Sequence, residues 1–141
     1  MLGFIDFSGD LPESATEERP RVRTGKFIHV RNESEGKEYV VFSPLKLDTY
    51  HANILSRFCR HIGISGHWVP PSKRVMFAID GPDWEVRGGQ MKIDDVERRL
   101  LLGGESMAYG PPEREYRQLK EMLLRLPEFA GYRVSTGDRR K

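Results

Sequence analysis

KFIHVRNESEGKEYVVFSPLKLDTYHANILSRFCRHIG, residues 26–63, reads as strand, turn, strand and helix in that order. Residues 26–31 hold Phe27, Ile28 and Val30 and suggest a strand, and the polar segment 32–37 suggests a turn. Residues 38–43 (EYVVFS) are β-branched and aromatic, as a second strand requires. Ile54, Leu55, Phe58, Cys59 and Ile62 then recur at helical spacing. Asp48 or Thr49 is placed to cap this helix, and Gly63 to stop it.

Downstream, residues 74–80 (RVMFAID), 85–93 (EVRGGQMKI) and 100–102 (LLL) read as extended segments. Pro111 and Pro112 open a second expected helix, with Tyr116, Leu119, Met122, Leu123 and Leu126 as its buried stripe and Pro127 as its end. Residues 131–135 (GYRVS) form a last strand. Upstream, residues 8–20 (SGDLPESATEERP) are polar and rich in breakers, so residues 1–20 read as a mobile lead-in. Strands interrupted by two helices indicate a single α/β or α+β domain over residues 21–137, ending in a basic tail at 138–141.

The composition excludes several function classes. A chain of 141 residues, 38% hydrophobic and 31% charged, suits one soluble domain. No apolar run approaches the roughly 20 residues that cross a bilayer, and the start MLGFID lacks the basic region of a signal peptide. A cytoplasmic address and no membrane partner are expected. Cys59, the one cysteine, leaves no internal disulfide. The net charge of +2 gives no overall field toward nucleic acid, and no aromatic stacking motif accompanies the basic residues, so no nucleic-acid partner is expected. Basic clusters at Arg21, Arg23, Lys26 and Arg31 can still recognise a small anion locally. A monomer is expected.

Two constellations can carry chemistry. Residues 103–111 (GGESMAYGP) join an apolar strand to the expected second helix. Such a glycine-rich junction is either a plain connection or an anion cradle made of backbone N–H groups and the Ser106 hydroxyl. His51 stands in the first turn of helix one, on the face of Ile54 and Leu55. It is either a packed histidine or a neutral imidazole able to attack phosphorus or deprotonate water, because a helix N-terminus and burial both disfavour imidazolium. Lys26 is either a solvated lysine or a point charge for a phosphate. Cys59, His61 and His67 lack carboxylates at ligand spacing, so neither a metal nor another cofactor is expected.

Together, Tyr50-His51-Ala52-Asn53-Ile54, Gly88-Gly89 and Ser106-Met107-Ala108-Tyr109-Gly110-Pro111 resemble the Janus/Ocnus family of phosphohistidine phosphatases. The resemblance covers roughly residues 25–136. It implies a mixed sheet of six strands flanked by two helices and a metal-independent phosphatase acting on a phosphorylated protein or a small phosphoamidate. It further implies His51 as the essential histidine, Lys26 as substrate-binding lysine, and Ser106 with the backbone of Met107 and Ala108 as phosphate site. Two arginines of the family fall on Ser43 and Gln90 here, and a glycine of its string is Arg87. Arg87, Lys92 or Lys46 is positioned to compensate. An added segment around residues 66–80 suggests an extra hairpin. A non-catalytic phospho-ligand module of the same fold is the first alternative, and a nucleic-acid-binding protein using the Arg21–Arg31 strip and Arg139–Lys141 is the second and weaker one.

Overall fold

The computed structural model describes residues 2–10, 21–70, 76–112 and 115–137. Eight strands and two α-helices follow one another as β1 (Leu2–Asp6), β2 (Val22–Asn32), β3 (Lys37–Pro44), α1 (His51–Ile62), β4 (Gly66–Trp68), β5 (Phe77–Ile79), β6 (Trp84–Asp94), β7 (Arg99–Gly103), α2 (Tyr116–Leu124) and β8 (Arg133–Gly137). Six of the strands form one mixed sheet in the order β1-β3-β2-β6-β7-β8, parallel at β1/β3 and β7/β8 and antiparallel elsewhere. This is an α+β fold with one helix on each face.

The central strands are buried on both sides, which is why residues 27–30 and 40–43 read as continuous apolar or buried runs rather than alternating ones. Phe27, Phe42, Met91, Ile93, Leu100 and Leu102 point to α2, where Leu119 and Leu123 meet them. Ile28, Val30 and Val41 point to α1, against Ala52, Leu55 and Phe58. Each such side chain removed from water contributes roughly 1.5–3 kcal/mol. Helix α1 ends at Gly63, whose φ of 77° is left-handed and whose N–H donates to the Cys59 carbonyl at 2.9 Å. No helix among the described residues is long and apolar enough to cross a membrane.

Three expectations are corrected. The lead-in is not featureless at its start: Leu2–Asp6 is a strand pairing in parallel with β3, and Leu2 and Phe4 pack into the α2-side core. Residues 7–10 follow as a 3-10 helix, and residues 11–20 and 138–141 lie outside the described residues. Neither Asp48 nor Thr49 caps α1. Tyr50 holds the cap position, its N–H bonded to Asn53 Oδ1 at 3.2 Å, while buried Asp48 binds the Ser43 hydroxyl and Arg57. Helix α2 begins at Tyr116 rather than at the two prolines. The segment around 66–80 does contain a two-stranded hairpin, β4 with β5; residues 71–75, between them, are not described.

Candidate active site

Strand register brings the chosen residues to one region. Lys26 pairs with Ser43 on β3 and with Gln90 on β6, so the three share a row, and alternation puts them on the α1 face. On the same face, two residues along β6, is Gly88. Its Cα is the floor for the His51 ring: a Cβ there would lie 2.6 Å from Cδ2 of His51 and 2.7 Å from the Phe27 carbonyl oxygen.

His51, first residue of α1, is only 6% exposed. Its Nε2 lies 2.8 Å from the Gly89 carbonyl oxygen. A carbonyl only accepts, so in the neutral ring Nε2 carries the hydrogen and Nδ1 the lone pair. Nδ1 has no hydrogen-bond partner among the described residues. Burial holds the imidazole below its ordinary pKa of 6.5; the Gly89 carbonyl opposes this, and the nearby Lys26 charge adds to it. The ring is therefore neutral and basic at pH 7.

The glycine-rich segment is tied to the same floor. Gly88 N–H donates to the Gly110 carbonyl at 3.0 Å, and Ser106 N–H donates to the Gly88 carbonyl at 2.9 Å. Ser106 and Gly110 are bridged in turn, with Gly110 N–H on the Ser106 carbonyl at 2.8 Å. The loop base thus stands one strand spacing, about 4.8 Å, from Gly88. Tyr109 N–H donates to the buried Ser106 Oγ at 3.0 Å. This leaves Met107 and Ala108, at the turn tip, with N–H groups that have no partner among the described residues. Two consecutive free amides and a hydroxyl proton in one turn form a concavity suited to an oxyanion.

The loop's outer support comes from the added hairpin. Tyr109 donates its hydroxyl to the Phe77 carbonyl at 2.6 Å and accepts the Phe77 N–H at 2.9 Å. Burial pushes this phenol up to about 12, so it stays protonated and acts as a clamp. On the inner side Tyr116 donates its hydroxyl to the carbonyls of Gly103 and Gly104, at 2.8 and 2.6 Å. Lys26 Nζ donates to the Thr49 carbonyl at 2.7 Å and lies 5.7 Å from the centre of the exposed Tyr50 ring, a cation–π distance. Thr49 and Tyr50 thus position the lysine just before His51.

The remaining candidates divide. Arg87 lies beside the loop: its Cδ is 3.8 Å from where a Gly110 Cβ would be, and its Nη1 donates to its neighbour's Val86 carbonyl at 3.0 Å. Lys92 is not brought to the loop. It shares the face but sits four residues beyond Gly88 along β6, about 13 Å, lining an open groove with Thr24, Gln90 and Leu101. Lys46 is exposed in the β3–α1 connection. No guanidinium occupies the Ser43 position, where the hydroxyl donates to Asp48 at 2.6 Å. The expected helix dipole behind the loop is also absent, because α2 starts at Tyr116.

Sequence reasoning passed over Gln90 and Tyr109 as supports. Gln90 Oε1 occupies the space of a Cβ on Gly104, whose φ is +68°, so both the backbone and the Gln90 amide favour glycine there. Tyr109 had a signal in its position, an aromatic one residue before a glycine in a polar turn, but its partner Phe77 is distant in sequence. Among the described residues no three His, Cys, Asp or Glu side chains gather as a metal site. No protein-family model matches the chain, and no curated protein is significantly similar to it.

Proposed function

We propose that the chain is a phosphoamidate hydrolase acting on phosphohistidine, with His51 as the reacting group and the Ser106–Gly110 turn as phosphate cradle. The reading rests on one observation: the ring of His51 and the turn bearing the free Met107 and Ala108 amides are both fastened to Gly88. A tetrahedral anion held by the two amides and the Ser106 hydroxyl would lie beside the neutral imidazole, with Lys26 adding charge.

Phosphorus–nitrogen cleavage needs positioning and charge stabilisation above all. Two routes balance. In one, Nδ1 attacks phosphorus, the bond to the substrate imidazole breaks, that imidazole takes a proton from solvent, and water then hydrolyses the phosphoryl-His51. In the other, Nδ1 takes a proton from water as its oxygen bonds phosphorus, the bond to the substrate imidazole breaks as that imidazole takes a proton from solvent, and His51 then returns its own proton to solvent. Enzyme quenched in alkali, where a phosphorus–nitrogen bond survives, and carrying phosphate on residue 51 distinguishes the first from the second.

The test is phosphate release from a phosphohistidine peptide. His51→Ala is expected to abolish it while thermal unfolding stays cooperative; turnover near that of the wild type removes His51 from the mechanism. One observation favours a second reading, a phosphate-binding module without turnover: neither Ser43 nor Gln90 supplies the guanidinium that the Janus/Ocnus resemblance implies in the row of Lys26. Binding of inorganic phosphate that shifts the Ala108 amide, without hydrolysis at high protein concentration, would select it.

A further inference from the structure

Strand β6 is paired on only part of its β7 side. β7 covers residues 90–94, and the turn covers Gly88 through its bonds to Ser106 and Gly110. In an antiparallel ladder successive residues direct their N–H and C=O groups to opposite neighbours. Since Gly88 faces the turn, Val86 and Trp84 face the same side, where no strand of the described residues pairs with them. The Val86 N–H has no partner among the described residues, and its carbonyl accepts from the Arg87 guanidinium at 3.0 Å. An edge with open donors is a template for another strand.

Alongside this edge runs a cleft of about 300 Å³, walled by Leu55 of α1, Phe77 of the added hairpin, Trp84, Val86, Arg87 and Tyr109. It is mostly apolar, and it is continuous with the cradle through Tyr109. Val86 is two residues from Gly88, about 7 Å along the strand. An occupant must therefore offer backbone hydrogen bonds to the edge, an apolar group to the cleft and an anion to the turn. A free phosphoamidate meets only the last of these demands, whereas an extended polypeptide meets all three.

We propose that the phosphorylated substrate is a polypeptide that docks as an added strand on the Trp84–Val86 edge, placing an apolar side chain two or three residues from its phosphorylated residue in the cleft beside Phe77. The added hairpin is then the specificity element: through Phe77 it both walls the cleft and holds Tyr109. Docking of this kind rests on the phosphohistidine reading for the nature of the anion, but not for the strand pairing.

The experiment uses a peptide with a central phosphohistidine flanked by leucines, its affinity measured on the His51→Ala protein. Single backbone N-methylations are walked along the peptide. Strand addition predicts that alternate N-methyl groups weaken binding about fivefold to tenfold, the loss of one backbone hydrogen bond, while those between have little effect. Exchange of the Val86 amide hydrogen in the same protein slows when peptide is added, and Leu→Ser at the cleft position weakens binding. A flat N-methyl scan with unchanged Val86 exchange, while wild-type protein still hydrolyses the peptide, overturns the docking and leaves the chemistry. Period-two sensitivity without turnover keeps the docking and overturns the hydrolase. No binding of the peptide at all overturns both.

Discussion

Gly88→Ala is the sharpest probe of the site because the same carbon floors both halves of it. The added methyl would start 2.6 Å from His51 Cδ2 and 2.7 Å from the Phe27 carbonyl oxygen. Carbon atoms rest at about 3.5–4.0 Å, so the ring must retreat by roughly 1 Å. That retreat stretches the 2.8 Å bond from Nε2 to Gly89 beyond hydrogen-bond range. Overpacking costs about 1–3 kcal/mol and an unmet buried polar group about 1–3 kcal/mol, so the substitution should destabilise the fold by about 2–6 kcal/mol. A displacement of that size at a reacting group costs on the order of a hundredfold in rate.

The contribution of the ring can be separated from that of the strand. In His51→Ala the ring contact and its hydrogen bond are gone, and only the Phe27 carbonyl contact remains. Gly88→Ala should then cost about 1–2 kcal/mol less than in the parent, a coupling well above the ~0.5 kcal/mol scatter of independent sites. Urea unfolding of the four proteins, read as midpoint at common slope, supplies the cycle. Equal costs in the two backgrounds would mean that residue 51 does not sit on residue 88, and the convergence of ring and turn would be refuted.

Four further outcomes follow from the same geometry. Because the folded His51 binds its proton less readily than the unfolded chain, its contribution to stability is complete above the ordinary value of 6.5 and is lost as pH falls below it; urea midpoints across pH should show this slope in the wild type and not in His51→Gln. By the same shift, the acid limb of phosphate release should fall below pH 6.5. Tyr109→Phe strands both backbone groups of Phe77, so it should cost about 1–3 kcal/mol and speed hydrogen exchange in β5 more than in β2. Asp95→Asn takes a charge from Arg23, buried between Asp95 at 2.7 Å and Asp6 at 3.0 Å, and should lower stability by about 1–3 kcal/mol in urea titration without changing phosphate release.

What the sequence made legible was what short-range patterns encode. The two strands and the helix of residues 26–63 formed as read, because their apolar runs and helical spacing are local, and Gly63 needed only its own left-handed φ to stop the helix. The stripe of α2 was visible for the same reason. Its start was not, since Pro111 is a good first helical residue in any context and only the tie of Gly110 to Gly88 shows that the chain is still in a turn there. Leu2–Asp6 escaped notice because an edge strand of five residues shows no pattern by itself; its partner, β3, lies more than thirty residues away. Asp48 had the chemistry of a cap, yet a buried acid is claimed by whichever donors meet it, here Ser43 and Arg57. Pairing distant in sequence decided each of these cases, and one sequence carries little trace of it.

The glycine pair shows how two such distant demands converge. Gly88 and Gly89 are successive strand residues, so their missing side chains face opposite sides of the sheet. On one side the vacancy receives the His51 ring. On the other a Cβ at Gly89 would lie 2.3 Å from the Tyr116 hydroxyl, which sets the Gly103 and Gly104 carbonyls and so the entry to the turn. Neither glycine is required by its φ, which is ordinary at both. They are required because a helix on each face sends one polar side chain down to the same strand. The imidazole and the entry to the turn are thus placed from opposite faces of β6. A substitution at residue 89 should accordingly disturb the turn before the ring, and one at residue 88 the ring before the turn.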